Sequence, residues 1–257
     1  AAALEHRWVY RGQYSPTLDR GHGAPVDDVD PAHFVVFATN HDHVGNTPRG
    51  ERMLHDTGIA DPRRRLAAAF ILLSPFTPML FMGEEYGEPA PFPYFVDHGD
   101  TDLVEAVRQG RRAEFADVDW AGGIADPADP ATYAAAVIDP SLADTGPHAA
   151  LLDMYTELIR LRRDLPILTD VEAEQRVVSD RRLLTVVRSS ASPTSVARFN
   201  FSDTPSKIDG ADVDVSFDDE ALQFDSSADA WGGDGSGSAV DELPPFSARL
   251  WVWSRHD

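Results

Sequence analysis

The chain has 257 residues and a mass of 28.1 kDa, and its 42% hydrophobic residues are enough for a sizeable core. Its 43 acidic and 22 basic residues leave a formal charge of -21, which disfavours nucleic acids and anionic membranes as partners. Cysteine is absent, which excludes disulfides and thiolate metal sites, and no apolar run reaches the roughly 18 residues of a bilayer span. The amino terminus does not resemble a secretory signal, so a cytoplasmic location is expected.

A strand–helix–strand pattern follows a polar, turn-rich stretch of about 30 residues. Residues 33–39 form a continuous run of β-branched and aromatic side chains, which predicts a buried parallel strand. Asp61 is a suitable N-cap, and it precedes a helical pattern over residues 63–74. Residues 79–82 predict a second buried strand that ends at Gly83. The order indicates a βαβ unit and therefore a parallel sheet.

Two further helices are predicted before the composition changes. One covers residues 101–115 and begins at a Thr101 cap. The other covers residues 147–164 and has an apolar face that includes Tyr155 and Ile159. The proline- and aspartate-rich residues between them, 117–146, predict a long surface loop.

Short alternating segments dominate from Pro166 onward and predict antiparallel strands. These strands are expected at residues 182–187, 195–201, 213–217 and 248–253. We therefore expect two domains, residues 1–165 with α/β structure and residues 166–257 with a small all-β structure consistent with a sandwich.

The strongest chemical signal is the polar cluster Asn40, His41, Asp42, His43 and Asn46 at the end of the first strand. Ligands bind at the carboxyl ends of parallel strands, so these side chains could contact a polar substrate, with Asp42 supplying charge. Alternatively, the two histidines form a metal pair, because residues two apart on an extended chain point the same way. A third ligand would have to come from the sequence Asp97-His98. The remaining alternative is that the cluster caps neighbouring loops.

The second strand also ends in polar and aromatic residues, namely Glu84, Glu85 and Tyr86. An aromatic run that includes Phe92 and Tyr94 follows on a predicted loop. Aromatic faces stack on the apolar faces of sugars while carboxylates accept hydroxyl hydrogen bonds, so these residues are candidates for a sugar site. The alternative is that the aromatic rings pack beneath the loop.

These segments together resemble a known enzyme family. Asn40-His41-Asp42 and residues 80–85 resemble two signature segments of the alpha-amylase-type glycoside hydrolases. Four further segments are similar to the maltooligosyltrehalose trehalohydrolase family within that group: residues 10–15, 44–46, 91–98 and 110–115. The resemblance covers roughly residues 8–165, and it extends to the β-rich tail only in architecture.

The resemblance implies the C-terminal part of a (β/α)8 barrel, about strands 7 and 8, followed by an antiparallel β-sandwich. It also implies a retaining glycoside hydrolase that releases trehalose from maltooligosyl-trehalose, without a metal or cofactor. Asp42 would stabilise the transition state. The implied substrate-binding residues are Asn40, His41, His43, Asn46, Glu84, Glu85, Tyr86, Phe92 and Tyr94. His43 stands where the family commonly has glutamine.

The same resemblance predicts that this chain is catalytically incomplete alone. In the family, the nucleophile and the general acid lie on the fourth and fifth barrel strands, upstream of the matched segment. The expected partners are therefore an α-glucan such as maltooligosyl-trehalose, and either a missing upstream barrel segment or a second copy of the chain. The alternatives are a fragment of a glycogen branching enzyme or of another alpha-amylase-type enzyme, and a non-catalytic carbohydrate-binding or assembly module.

The acidic composition suggests adaptation to salt. The chain contains 31 aspartates and 21 arginines but only one lysine, Lys207. At about 1 M salt the Debye length falls to roughly 3 Å, so repulsion among carboxylates is screened. We therefore expect a halophilic protein, with an ordinary solvated surface from a GC-rich genome as the alternative.

Overall fold

The computed structural model describes residues 1–116, 123–191, 193–208, 221–235 and 241–253. In these ranges the α-helices are α1 (Ala2–His6), α2 (His41–Gly45), α3 (Pro62–Leu72), α4 (Thr101–Glu114), α5 (Pro130–Ala135) and α6 (Gly146–Asp164). The strands are β1 (Arg11–Ser15), β2 (Arg20–Gly23), β3 (Val35–Val36), β4 (Thr77–Pro78), β5 (Glu174–Asp180), β6 (Leu183–Ser189), β7 (Thr194–Asn200), β8 (Ser206–Lys207), β9 (Leu222–Asp225), β10 (Glu242–Leu243) and β11 (Ser247–Trp253). None of the helices in these ranges combines the length and apolar character that crossing a membrane requires.

The chain divides into two compact units, each built from separate stretches of sequence. The first unit comprises Ala1–Val36, Ala60–Met79 and Ala150–Asp257. The second unit comprises Phe37–Ile59 and Leu80–Ala149. All of the predicted site residues therefore belong to the second unit.

The predicted βαβ order is confirmed in the first unit, where β3 and β4 pair in parallel and α3 lies between them in the sequence. Both strands are shorter than predicted. The prediction of a buried strand over residues 79–82 is wrong, because Met79 and Met82 are exposed and outside any strand. The last bond of the ladder runs from the N–H of Met79 to the carbonyl of Val36 at 2.8 Å. Val35 is also exposed, which corrects its predicted burial.

The predicted helices form, with local corrections. Asp61 caps α3 as expected, since its carboxylate accepts the N–H of Arg63 at 2.9 Å. Helix α4 is capped by Asp100 rather than Thr101, because the longer carboxylate side chain accepts the N–H groups of the first helical turn. In α6, Ile159 is exposed although the predicted apolar face included it, whereas Met154 is buried. The predicted loop over residues 117–146 contains α5, and its residues 117–122 lie outside the described ranges.

The first unit also contains an antiparallel sheet of five strands in the order β5-β6-β7-β11-β9. Helix α3 packs against it, with the Phe70 ring edge-to-face to Phe199 at 5.2 Å. Three of the predicted strands are confirmed as β6, β7 and β11, whereas β5 and β9 were not predicted. The strand predicted at residues 213–217 lies outside the described residues. Arg249 and Asp225 form a largely buried ion pair of 2.7 Å between β11 and β9.

Candidate functional site

The side chain of Asn40 shapes the start of the polar cluster. Asn40 is the N-cap of α2, and its Oδ1 accepts the N–H of His43 at 2.9 Å. A capping asparagine satisfies one of the free donors at a helix start, so the chain turns helical at His41, after the irregular residues 37–40 that follow β3. Asp42 therefore lies in the first turn of a short helix rather than on an extended strand end.

The side chain of Asp42 is exposed, so a dissolved ligand can contact it. Its side chain and that of His41 are each 70% exposed, and His41 Nε2 lies 3.2 Å from Asp42 Oδ1. The His43 ring packs against Phe37, with 5.5 Å between ring centroids. The three polar side chains thus present one carboxylate and two imidazoles on an open surface.

The predicted geometry of a histidine metal pair is wrong. His41 and His43 lie on a helix, where residues two apart are rotated by about 200° around the axis and so point to nearly opposite sides. Among the described residues, no group of three or more histidine and carboxylate side chains is arranged to hold a metal ion. The suggested third ligand pair, Asp97 and His98, lies on the exposed surface.

Glu84 ties the two predicted strand-end segments together. Its Oε2 accepts the N–H of Phe81 at 3.1 Å and the hydroxyl of Thr39 at 3.3 Å. Glu84, Glu85 and Tyr86 form one turn of 3-10 helix, in which Glu84 and Glu85 are half-buried. The structure thus brings Glu84 next to the chain that leads into Asn40 and Asp42.

Tyr86 belongs to a buried network and is not part of the exposed surface. It is 4% exposed, and its hydroxyl donates to Glu88 Oε2 at 3.0 Å. Glu88 also accepts the N–H groups of Ala90 and Asp139, each at 2.8 Å. Burial first, and then the hydrogen bond to Glu88, raise the pKa of Tyr86 to about 12. The predicted substrate contact of Tyr86 is therefore corrected to a supporting position beneath the segment.

The aromatic run divides into packed and exposed rings. Phe92 is half-buried and packs edge-to-face on Phe81 at 5.4 Å and on Phe95 at 5.7 Å. This is the packing alternative that the sequence left open. Tyr94 is 40% exposed, so its ring remains available to a ligand.

Gly50 and Arg52 fix the segment after α2 to the aromatic run. The carbonyl of Gly50 accepts the N–H of Phe92 at 2.8 Å. Gly50 has a φ of 70°, and a Cβ there would lie 2.0 Å from the nitrogen of Pro93, so only glycine fits. Arg52 is buried, donates to the carbonyl of Met82 at 2.8 Å, and has its pKa lowered by desolvation.

Arg111 is a functional candidate that the sequence interpretation did not single out. Its guanidinium donates to the carbonyl of Gly45 at 2.9 Å, at the end of α2. It also lies between the rings of Tyr94 and Phe115, at 5.0 and 4.9 Å from their centroids. Its ion pair with Glu114 measures 2.7 Å. The signal was present in the motif over residues 110–115, but motif similarity alone assigns no role to one arginine within it.

The structure matches part of the alpha-amylase-type enzymes. A crystal structure of a candidate alpha amylase from Salmonella typhimurium superposes with a TM-score of 0.81 at 30% identity, over 98% of this chain and 40% of that chain. The trehalose-6-phosphate hydrolase of Bacillus licheniformis superposes with a TM-score of 0.52 at 16% identity, which supports the fold alone. No protein-family model matches the sequence. The fold is thus that of a portion of an alpha-amylase-type enzyme.

Sequence relatives narrow this class to one kind of glycoside hydrolase. The chain is 46% identical over 166 residues to the malto-oligosyltrehalose trehalohydrolase of Arthrobacter ramosus, and 36% identical over 258 residues to that of Rhizobium sp.. It is 39% identical over 158 residues to the enzyme of Saccharolobus solfataricus. The matches span 28%, 40% and 26% of these relatives, respectively, so the chain corresponds to well under half of their length. The chain is similar to a portion of the malto-oligosyltrehalose trehalohydrolases, which confirms the resemblance expected from its motifs.

Proposed function

We propose that Asp42 is the carboxylate that stabilises the transition state of a retaining hydrolase whose substrate is maltooligosyl-trehalose. Its exposure on a capped helix supports this role, because a charged group must reach the sugar to act on it. The similarity of the chain to trehalohydrolases is the observation that carries the choice of substrate. Cleavage of the α-1,4 bond next to the terminal trehalose unit would release trehalose.

The chemistry needs three carboxylates. One attacks the anomeric carbon, a second protonates the departing oxygen as that bond breaks, and the third stabilises the oxocarbenium-like transition state. Within residues 1–257 the resemblance assigns only the third, Asp42. We therefore expect that this chain alone releases no trehalose and that a complete site needs an upstream barrel segment or a second copy of the chain.

The remaining site residues fall into two groups by position. His41, His43, Asn46, Glu85 and Tyr94 are exposed or half-exposed, and they are proposed to contact sugar hydroxyls and ring faces. The second group comprises Asn40, Glu84, Tyr86 and Phe92, which hold the backbone that presents the first group.

The finer architectural assignments belong to the same proposal. Residues 1–165 would correspond to the last part of a (β/α)8 barrel, about strands 7 and 8. Residues 166–257 would correspond to a C-terminal β-sandwich domain, of which the five-stranded antiparallel sheet supplies one layer. The charge of -21 supports a protein adapted to high salt, and a cytoplasmic location is part of the same proposal.

A chimera tests the role of Asp42. Residues of this chain replace the 258-residue stretch they match in the Rhizobium sp. relative, and trehalose release from maltotriosyl-trehalose is measured. We expect activity in the chimera and a loss of about 100-fold or more in kcat on Asp42→Asn, since that change removes one electrostatic contributor to the transition state. The matched control is Asp56→Asn, an exposed aspartate of the same unit, which should leave kcat unchanged.

The same assay on residues 1–257 alone separates the two parts of the proposal. Turnover by the isolated chain would show that it builds a complete site and would contradict the expected incompleteness. Equal kcat for the chimera and its Asp42→Asn variant would remove Asp42 from the reaction.

A further inference from the structure

A concave surface lies in the unit that carries Asp42, formed by residues that the site above does not use. It is a cleft of about 460 Å³ between the chain around Phe95 and the start of α5. Phe95, Tyr133, Pro127 and Pro130 supply an apolar lining, and Asp97 and Asp129 supply carboxylates. Small-molecule sites in proteins have this size range and this mixture of apolar walls with a few polar groups.

The walls of the cleft are fixed by hydrogen bonds. The N–H of Val96 donates to the carbonyl of Pro127 at 2.8 Å, which joins the two sides. The buried hydroxyl of Thr132 donates to the carbonyl of Asp126 at 2.6 Å. Arg108 holds the Asp126 carboxylate at 2.9 Å and lowers its pKa. A ligand would therefore meet walls already held in place, which reduces the ordering cost of binding.

The aromatic lining is continuous with the candidate site. Edge-to-face contacts connect Phe81 to Phe92 at 5.4 Å, Phe92 to Phe95 at 5.7 Å, and Phe95 to Tyr133 at 5.3 Å. Tyr133 ends this row and is 59% exposed, so most of its ring faces solvent beside the cleft. A single exposed ring is common, but an exposed ring at the mouth of a fixed cleft offers a stacking surface.

The polar lining selects the kind of ligand. Asp97 is exposed, and Asp129 accepts the N–H of Ala131 at 2.8 Å through one carboxylate oxygen. Carboxylates accept hydrogen bonds from hydroxyl groups and repel anions, and the net charge of -21 adds to that repulsion. Aromatic rings beside such acceptors suit a neutral sugar with apolar ring faces and hydroxyl edges.

We propose that this cleft is an accessory binding subsite for glucosyl residues of an α-glucan, with Tyr133 as the stacking ring and Asp97 as a hydroxyl acceptor. The choice of α-glucan rests on the proposed function. Occupancy of the cleft needs no catalytic carboxylate, so it is measurable on residues 1–257 as they stand. The cleft would then bind a length of chain outside the residues around Asp42.

Isothermal titration with maltoheptaose tests the subsite. Tyr133→Ala should weaken binding tenfold or more, and Tyr133→Phe should stay within about twofold because the ring remains. Tyr14→Ala is the matched control, since Tyr14 is 64% exposed and lies in the first unit. Asp97→Asn should weaken binding about threefold, and it leaves the hydrogen bonds of the walls intact.

Two further readouts separate this proposal from the proposed function. Asp42→Asn should leave the maltoheptaose-induced shift of the Tyr133 ring signals in the NMR spectrum unchanged. If the subsite is wrong and the Asp42 site is right, Tyr133→Ala binds like Tyr14→Ala while Asp42→Asn alone weakens binding. Light scattering tests whether the cleft instead binds a second copy of the chain. If Tyr133→Ala loses only self-association, the cleft is a contact between copies and the subsite proposal is wrong.

Discussion

The fold changes the ionisation of Tyr86. Burial raises its pKa to about 12, above the ordinary value of 10.0, so between these pH values the folded chain keeps a proton that the unfolded chain has lost. The free energy of unfolding therefore falls as pH rises from about 10 to 12, by up to about 3 kcal/mol. In urea unfolding across that pH range, the free energy of unfolding of Tyr86→Phe should fall less steeply with pH than that of the wild-type protein. The same substitution at the exposed Tyr133 serves as the control, and an identical decline in wild-type and Tyr86→Phe proteins would contradict the assignment.

At the scale of single residues, the sequence predicts which residues lie close together but not which hydrogen bonds their polar atoms form. The spacing of Asn40, Asp42 and Glu84 at two strand ends was enough to predict a polar cluster. That Asn40 caps a helix depends on the local backbone conformation. That Glu84 accepts the hydroxyl of Thr39 depends on the fold bringing together residues 45 positions apart. Side-chain type alone therefore could not separate contact residues from supporting residues.

At the scale of elements, α2 is short enough to depend on its neighbours. A helix of five residues is marginal by itself, because helix nucleation is costly and few bonds repay it. Its start is held by Asn40, and the carbonyl of Gly45 at its end accepts a bond from Arg111. The direction in which Asp42 points thus depends on an arginine from α4.

Replacing Arg111 tests this dependence. Arg111→Ala should speed hydrogen exchange of the α2 amides of Val44 and Asn46 about tenfold, because the end of the helix loses its donor and its stacked side chain. Arg111→Lys should recover little, since an ammonium lacks the planar fork that stacks between two rings. Arg112→Ala, at the adjacent exposed arginine, is the control. Unchanged exchange rates in Arg111→Ala would show that α2 holds its position without this contact.

The elements themselves were predictable to different degrees. Helix α3 and the parallel pairing of β3 with β4 follow from apolar periodicity and capping residues. The strand predicted at residues 79–82 did not form. The ladder with β3 ends with the bond from Met79 to Val36, and apolar continuity alone does not reveal where a ladder ends. Residues 130–135 were expected to be loop, although Asp129 and Pro130 together provide a cap and a first helical residue.

At the scale of the whole molecule, the charge balance opposes folding in dilute buffer. Acidic residues outnumber basic ones nearly two to one, so about half of the carboxylates would lack a basic partner even if every lysine and arginine paired with one. Exposed pairs such as Arg11 with Asp27 contribute little to stability, and salt weakens them. Repulsion among the excess carboxylates is screened by the same salt, and because it involves more charges we expect it to dominate.

Thermal unfolding in potassium chloride measures that balance. Raising the salt from 0.1 to 2 M should raise the Tm by several degrees, since about 1 kcal/mol corresponds to roughly 2–4 °C for a chain of this size. Chloride is a suitable anion because sulfate and phosphate would also stabilise by exclusion from the surface. Sucrose at equal osmolality is the control for effects unrelated to charge, and it should give a smaller rise. A Tm that stays level or falls with potassium chloride would mean that salt disrupts favourable pairs at least as much as it screens repulsion, and it would contradict adaptation to high salt.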